Sequence, residues 1–442
     1  MKKQFYIIMI LSLVIGVMAN SSGQSSLTLI FTAVERSDYF RLDSLRVRNI
    51  TQACDTVLIY PDTVLVINYV GINDGKRSSY GFNRIRNYPN PVTSLTMINL
   101  EIPEKDYVNL TLADAAGHLL YTARMTLDQG IHAFLFSPPG NGLFIFNASW
   151  KGSNRSTRIL ASGVSQGNEF SLKYIGATGS SNSLKTVESI TGFLFSPGDE
   201  LLLIGYGEGL ESGFSDLPET DTDYVFQFAT NIPCPGLDSL LYDGQWYHTI
   251  QVFSQCWLKE NLNAGVMIPS SQTQTNNDIV EKYCMSNNET YCGILGGLYF
   301  WNEAMQYLNE TGGQGICPDG FHVPTDLEWQ ILEGAADNLL EIGATGWNAN
   351  GWRGSDCGGN LKQTGTDLWE PPNTGATDAF GFTVVPAGYF VQGDFWGPGY
   401  KTYLWSSNVS GKYYRNMDWN QAQIQRNTGG TGAAFSVRCI KD

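Results

Sequence analysis

The sequence predicts a multidomain, β-rich protein, with all-β, sandwich-like modules in front and an α+β domain behind. Three observations carry this. From Leu27 to about Phe228, apolar and β-branched residues come in short runs of strand length, and no stretch holds helical periodicity for three turns. Beyond residue 232 a strongly amphipathic helix appears among short aromatic strands and Gly-rich turns. Tryptophan usage changes at the same place: Trp150 stands alone before Trp246, and the rest of the 11 Trp follow.

The front elements read in order. Leu27–Thr32, Asp55–Ile59 and Thr63–Ile67 are strands, separated by turn formers such as Pro61-Asp62 and followed by Asn73-Asp74-Gly75. Gly192–Phe195 and Leu201–Tyr206 are strands flanking a Pro197-Gly198-Asp199 turn, and Tyr224–Phe228 closes the region. Pro233-Cys234-Pro235-Gly236 is a stiff break. Behind it, Tyr242–Val252 reads as a hairpin turning at Asp243-Gly244. Asp326–Leu340 reads as a helix with Thr325 at its N-cap and Glu328 completing a capping box. Leu327, Ile331, Leu332, Ala335, Ala336, Leu339 and Leu340 form its apolar face. Trp301–Leu308 is a shorter helix. The predicted segments are therefore a signal peptide over 1–24, β-rich stretches over 25–81, 82–163 and 164–231, and the α+β domain over 232–442.

The N-terminal stretch implies export. Lys2 and Lys3 precede an uncharged apolar run from Phe5 to Met18, and Val17 and Ala19 suit a signal peptidase site. Ser22-Gly23-Gln24 offers a second one. The run is too short to span a bilayer, which takes roughly 20 residues, so no integral membrane span is expected after the leader is removed. The expected location is extracellular, at the outer-membrane surface or in the periplasm. A net charge of −15 argues against nucleic acid, which needs a basic stripe. In an exported chain the eight Cys read as disulfides. His118, His132, His248 and His322 are scattered singly and no CxxC occurs, so no metal site and no cofactor are expected. No run of Asp, Asn and Glu is dense enough to predict calcium.

Two resemblances sharpen this. Asn87-Tyr88-Pro89-Asn90-Pro91-Val92 opens a run through Val108-Asn109-Leu110-Thr111-Leu112, Asp114-Ala115-Ala116-Gly117, Gly142-Leu143-Phe144-Ile145-Phe146 and Thr157-Arg158-Ile159-Leu160. That order resembles the small β-sandwich used as a type IX secretion sorting domain in Bacteroidetes. Such domains end their chains, whereas residues 164–442 follow here, so the resemblance implies the fold and not the sorting role. Further on come Cys256-Trp257-Leu258-Lys259-Glu260-Asn261-Leu262, Gly296-Gly297-Leu298-Tyr299-Phe300-Trp301 and Ile316-Cys317-Pro318-Asp319-Gly320-Phe321-His322-Val323-Pro324-Thr325. Pro386-Ala387-Gly388-Tyr389, Leu404-Trp405-Ser406-Ser407 and Phe435-Ser436-Val437-Arg438-Cys439-Ile440 complete the series. The ordered set resembles the Fibrobacter succinogenes major paralogous domain family, with Phe321 where the family usually has Trp. The resemblance implies a C-type-lectin-like α+β domain. With the order of the cysteines, it implies the bridges Cys317–Cys439, Cys284–Cys292 and Cys234–Cys256, leaving Cys54 and Cys357 as thiols.

Most motif residues read as structural. Trp257, Trp301, Trp329 and Trp405 are core aromatics, His322 is a core or helix-entrance histidine, and Arg438 belongs to a core-edge ion pair. No catalytic residue is assigned, because HExxH and phosphate loops are missing and no Ser or Cys nucleophile stands beside His322 in its motif. Candidate ligand residues are Asp394, Trp396, Tyr400, Tyr403, Tyr414, Asp418, Trp419 and Asn420, which mix flat rings with amides and carboxylates in the way sugars require. The reading is an exported non-catalytic binding or surface module, with a glycan or an envelope or extracellular protein as partner. One alternative is an enzyme related to the formylglycine-generating oxidases, which rely on reactive cysteines. The other is a structural or adhesive surface protein.

Overall fold

The computed structural model describes residues 24–36, 38–70, 85–88, 90–92, 95–162, 164, 170–178, 193–430 and 432–442. The predicted leader up to residue 23 and the Asn73-Asp74-Gly75 turn lie outside the described residues. The chain is multidomain and predominantly β.

The first strands are β1 (Gln24–Glu35), β2 (Asp38–Tyr39), β3 (Ser44–Asn49), β4 (Cys54–Ile59) and β5 (Val64–Val70). They join strands far downstream. β1 runs antiparallel to β5, and parallel to the strand Thr222–Gln227 from Leu29↔Thr222 to Val34↔Gln227. β3 pairs on one side with β4 and on the other with the strand Leu201–Gly207. Alternation explains the layering, since β3 buries every second residue. Leu29, Phe31, Val47, Leu65, Ile67, Leu203 and Phe226 meet in one core between the two sheets. The stretches 25–81 and 164–231, read separately from sequence, thus contribute strands to one sandwich.

Between them lies a second sandwich. Its strands are β6 (Ile85–Tyr88), β7 (Thr96–Ile102), β8 (Asp106–Asp114), β9 (Leu119–Leu127), β10 (Gly130–Ser137), β11 (Gly142–Trp150), β12 (Ser153–Ala161) and β13 (Ser171–Thr178). They form the sheets β13-β10-β7-β6 and β12-β11-β8-β9 around Ile98, Leu110, Phe134, Phe136 and Phe146. Asn90 clamps the start to β12, accepting from Leu160 N at 2.8 Å and donating to Arg158 O at 2.9 Å. Asp114 turns the β8–β9 hairpin by accepting from the backbone N–H groups of Ala116 and His118, and Gly117 takes the positive φ there. The strands β14 (Leu201–Gly207), β15 (Leu210–Asp216) and β16 (Thr222–Gln227) then complete the first sandwich. The strand predicted over Gly192–Phe195 does not form at Phe193–Phe195, and Gly192 lies outside the described residues. The Leu194 carbonyl there accepts from the Asn49 side chain at 2.8 Å, in place of a ladder partner.

The C-terminal domain opens with β17 (Thr230–Ile232), β18 (Ser239–Tyr242), β19 (Gln245–Val252) and β20 (Gln255–Leu258). Asp243 and Gly244, with φ of 46° and 76°, make the β18–β19 turn as predicted. The three bridges Cys234–Cys256, Cys284–Cys292 and Cys317–Cys439 are present, which suits a chain that folds in an oxidising compartment. Cys54 and Cys357 are thiols, the latter buried. No helix among the described residues is long and apolar enough to cross a membrane.

Among the described residues this domain has four α-helices: α1 (Glu289–Leu295), α2 (Trp301–Ala304), α3 (Asp326–Ala336) and α4 (Cys357–Leu361). α1, which starts inside the Cys284–Cys292 staple and runs beyond it, and α4 are additions to the predicted elements. α2 is half its predicted length: Gln306 and Tyr307 adopt positive φ, and the Ala304 carbonyl accepts from Ile316 N instead of continuing the helix. α3 has the predicted capping box but stops at Ala336 rather than Leu340. The Asp337 carboxylate causes the stop, taking the backbone N–H groups of Leu339, Leu340, Ser355, Asp356 and Cys357. Its apolar residues serve two partners. Trp329, Leu332 and Ala336 face the domain's own core, while Ile331, with Ile342 from the segment after the helix, meets Leu202 and Ile204 on β14 of the first sandwich. That joint is reinforced by Arg48 Nη1 donating to Gly343 O and Ile342 N donating to Glu211 Oε1, each at 2.8 Å.

Trp257, Trp301, Trp329 and Trp405 are all buried, as expected. His322 sits at the start of α3 between Glu328, 2.9 Å from Nε2, and Asp442, 2.6 Å from Nδ1. Burial would lower its pKa, but these two carboxylates hold it above the ordinary histidine value. Arg438 differs from expectation. It is fully buried over the Phe382 ring and donates to Phe382 O and Asn261 Oδ1, so a carbonyl and an amide take the place of an acidic partner. The domain's buried ion network is elsewhere: Asp326 and Glu333, seven residues apart on α3, hold Arg353, Arg415 and Arg426.

Candidate functional site

The candidate ligand residues lie on and between short strands of two adjoining sheets. The Tyr389–Val391 strand pairs with Asp394–Trp396, and the Lys401–Trp405 strand pairs with Tyr414–Asp418. Strand alternation sorts the first hairpin. Phe395 turns in against Phe390 at 5.1 Å, so Asp394 and Trp396 are left on the opposite face, both exposed. Trp396 is 53% exposed and Tyr400 is 44% exposed, which is high for such large rings. Between them the chain turns tightly, with Tyr400 N donating to Gly397 O at 3.1 Å. The half-buried Trp419 meets Tyr400 edge-to-face at 5.7 Å, and its backbone N–H donates to the Tyr400 carbonyl at 2.8 Å. Asn420 is exposed beside it, and Asp418 reaches Lys401 at 3.5 Å. The structure therefore brings Asp394, Trp396, Tyr400, Trp419 and Asn420 to solvent around one turn and one loop.

Tyr403 and Tyr414 are placed differently. Both pack on the core through Phe435, at 4.8 Å and 5.0 Å, and burial raises both phenols, that of Tyr403 well up. Their role is support. Rings follow one another outward from Trp405 to Phe435 at 4.4 Å, to Tyr403 at 4.8 Å and to Tyr389 at 4.8 Å. Tyr389 lies directly across from Trp396. The row of ring contacts ends at Tyr389, and Trp396 is its exposed cross-strand neighbour.

The loop carrying Trp419 and Asn420 is held from beneath by a residue that sequence reasoning missed. Lys362 has no exposed surface, and its Nζ donates to the carbonyls of Thr374, Asp418 and Gln421 at 3.0, 2.9 and 3.0 Å. Burial brings its pKa down to about 8, against an opposing pull from Asp418. α4 delivers this lysine. Gly358 and Gly359 let the helix lie against the carbonyls of Gln423 and Gly375, where a Cβ would strike backbone oxygen. The available signal was Lys362 as the only charge between Asp356 and Asp367, just after a Gly-Gly pair.

Elsewhere, an open cavity of about 310 Å³ is lined by Tyr242, Asp243, Ala264, Gly265, Val266, Ile279 and Val280, none of them a predicted ligand residue. Among the described residues no three His, Cys, Asp or Glu side chains converge to hold a metal. The Cys357 thiol is pushed far up by burial, which disfavours the thiolate.

Residues 250–441 match the model of the Fibrobacter succinogenes major domain. This segment is a Fibrobacter succinogenes major domain. The Fibrobacter succinogenes major domain starts within β19, so β17 and β18 precede the matched segment and the Cys234–Cys256 bridge ties them to it. The whole aromatic face and Lys362 fall inside it. No curated protein matches the chain.

Proposed function

We propose that this protein is exported and works outside the cytoplasm as a non-catalytic binding module. Its C-terminal α+β, C-type-lectin-like domain takes carbohydrate on the face formed by Asp394, Trp396, Tyr400, Trp419 and Asn420. One observation carries the reading: two large rings, Trp396 and Tyr400, stand in solvent, Trp396 across the strand pair from Tyr389 and Tyr400 edge-to-face with Trp419. Flat rings held still offer stacking surfaces to sugar C–H groups at little entropic cost, and the nearby carboxylate and amide suit hydroxyls. The leader-like N-terminus and the three bridges support export.

The oxidase alternative would draw on reactive thiols. Six of the eight Cys are bridged and Cys357 is buried with its thiol pushed up, which favours the binding reading. The test is a glycan array probed with the full exported chain, with and without calcium. The expected outcome is retention on a defined glycan class, lost in Trp396→Ala and Tyr400→Ala and kept in Tyr403→Phe. Silence across the array, together with turnover of a cysteine-containing peptide, would overturn the proposal.

A further inference from the structure

The aromatic face depends on a loop with little regular structure of its own, and the manner in which that loop is fixed is informative. Asp418 and Gln421 bracket the Trp419-Asn420 pair, and both of their carbonyls point at Lys362 Nζ. The third carbonyl, Thr374, belongs to a neighbouring loop whose own N–H donates to Trp419 O at 2.8 Å. Three backbone carbonyls converging away from water place partial negative charges close together, an arrangement that is unfavourable unless a cation sits among them. An ammonium group has three donors, and here each one is used. The Trp369 ring, its centroid 5.2 Å from Nζ, closes the remaining side.

We propose that Lys362 is a positioning residue, an internal cation tethered to α4 that sets the Trp419-Asn420 step and so pre-forms the ligand face. The proposal rests on the carbohydrate-binding reading of that face for its functional consequence. Its structural content is independent of any ligand. Lys362 touches no candidate ligand residue with its charge except through the backbone of the loop, so its effect passes through the placement of Trp419 and Asn420. The α4 backbone holds the stem in place: Lys362 N donates to Gly358 O and Gly359 O, and Gln363 N donates to Val384 O.

The experiment uses the full chain and two readouts. Amide hydrogen exchange at Thr374 and Trp419 reports the loop directly, and affinity for the glycan retained by the wild type reports the face. Lys362→Met keeps the apolar stem and removes the donors. The expected result is at least about a ten-fold loss of protection at both amides, corresponding to more than one net hydrogen bond, with a parallel fall in affinity. In Lys362→Ala, millimolar propylammonium should restore both, and tetramethylammonium, which has no donor, should not. Unchanged protection in Lys362→Met would overturn the proposal, as would equal rescue by both cations. Loss of protection in a protein whose wild type binds no glycan would uphold the positioning role and overturn the binding reading alone. Should Lys362→Met not fold, wild-type exchange is compared at pH 7 and pH 9.5, across neutralisation of this amine. The groups facing the amine are the three carbonyls, the Trp369 ring and Asp418, which is paired with Lys401. Selective loss of protection at Thr374 and Trp419 at the higher pH upholds the proposal, and none overturns it.

Discussion

Asp326→Asn probes the buried ion network beneath the aromatic sheets. Asp326 Oδ1 accepts from Arg415 Nη1 at 2.7 Å, and Oδ2 from Arg426 Nη2 at 2.7 Å, with only 9% of its side chain exposed. Burial alone would raise its carboxyl, but the two guanidinium groups hold it down at about 2, from an ordinary 3.8. A folded pKa below the unfolded one gives stability that is complete above the unfolded value and lost as pH falls through the folded one. Here that amounts to about 2 kcal/mol, lost between roughly pH 4 and pH 2. Removing the charge at neutral pH also leaves Arg415 and Arg426 short of a partner. The total cost of Asp326→Asn at pH 7 should therefore be about 3–5 kcal/mol. Urea unfolding followed by tryptophan fluorescence is the assay, because 10 of the 11 Trp lie in the C-terminal half. The wild-type advantage should shrink by about 2 kcal/mol on going from pH 7 to pH 2. A cost below about 1 kcal/mol at pH 7, or a gap that does not narrow in acid, would refute the assignment of this network as a stabilising core.

Other consequences can be checked in the same way. Cys439→Ser opens a closure spanning 122 residues and should cost up to about 5 kcal/mol, read as a lowered urea midpoint. Glu211, at the joint with the first sandwich, has its pKa raised to about 7, chiefly by burial. Among the described residues its Oε2 has no hydrogen-bond partner, and Glu341 adds to the rise. A folded value above the unfolded one means that stability falls as pH rises from about 4.5 towards 7. Glu211→Gln should thus strengthen the joint by about 1–2 kcal/mol at pH 8, after discounting for partial exposure, and have little effect at pH 5. Thermal melts at the two pH values decide this. Ile331→Ala removes a side chain wedged against Leu202 and Ile204 and should cost about 2–4 kcal/mol, with faster proteolysis between the sandwich and α3.

What was legible in the sequence was local. The strands β1, β4, β5 and β14 follow from short apolar runs of strand length bounded by turn formers. The Asp243-Gly244 turn and the Thr325–Glu328 capping box follow from residues within one turn of each other. What stayed hidden depends on partners distant along the chain. The apolar surface of α3 looked like one face, but Ile331 belongs to β14, more than a hundred residues earlier. Tyr400 and Tyr403 look alike in sequence, yet Tyr400 stands in a turn and Tyr403 on the inward side of a strand against Phe435. Lys362 was invisible because its partners are main-chain carbonyls, which every residue possesses. Arg438 was read as an ion pair because charge normally pairs with charge. The fold supplied a carbonyl, an amide and a ring instead.

The most direct test of the account is affinity electrophoresis of the full exported chain through gels containing the glycan it retains, wild type against Trp396→Ala and Tyr400→Ala. Exposed, buttressed rings predict that each substitution weakens binding by about ten-fold, the worth of one stacked aromatic, while urea midpoints stay within error of the wild type. Equal retardation of all three proteins would contradict it.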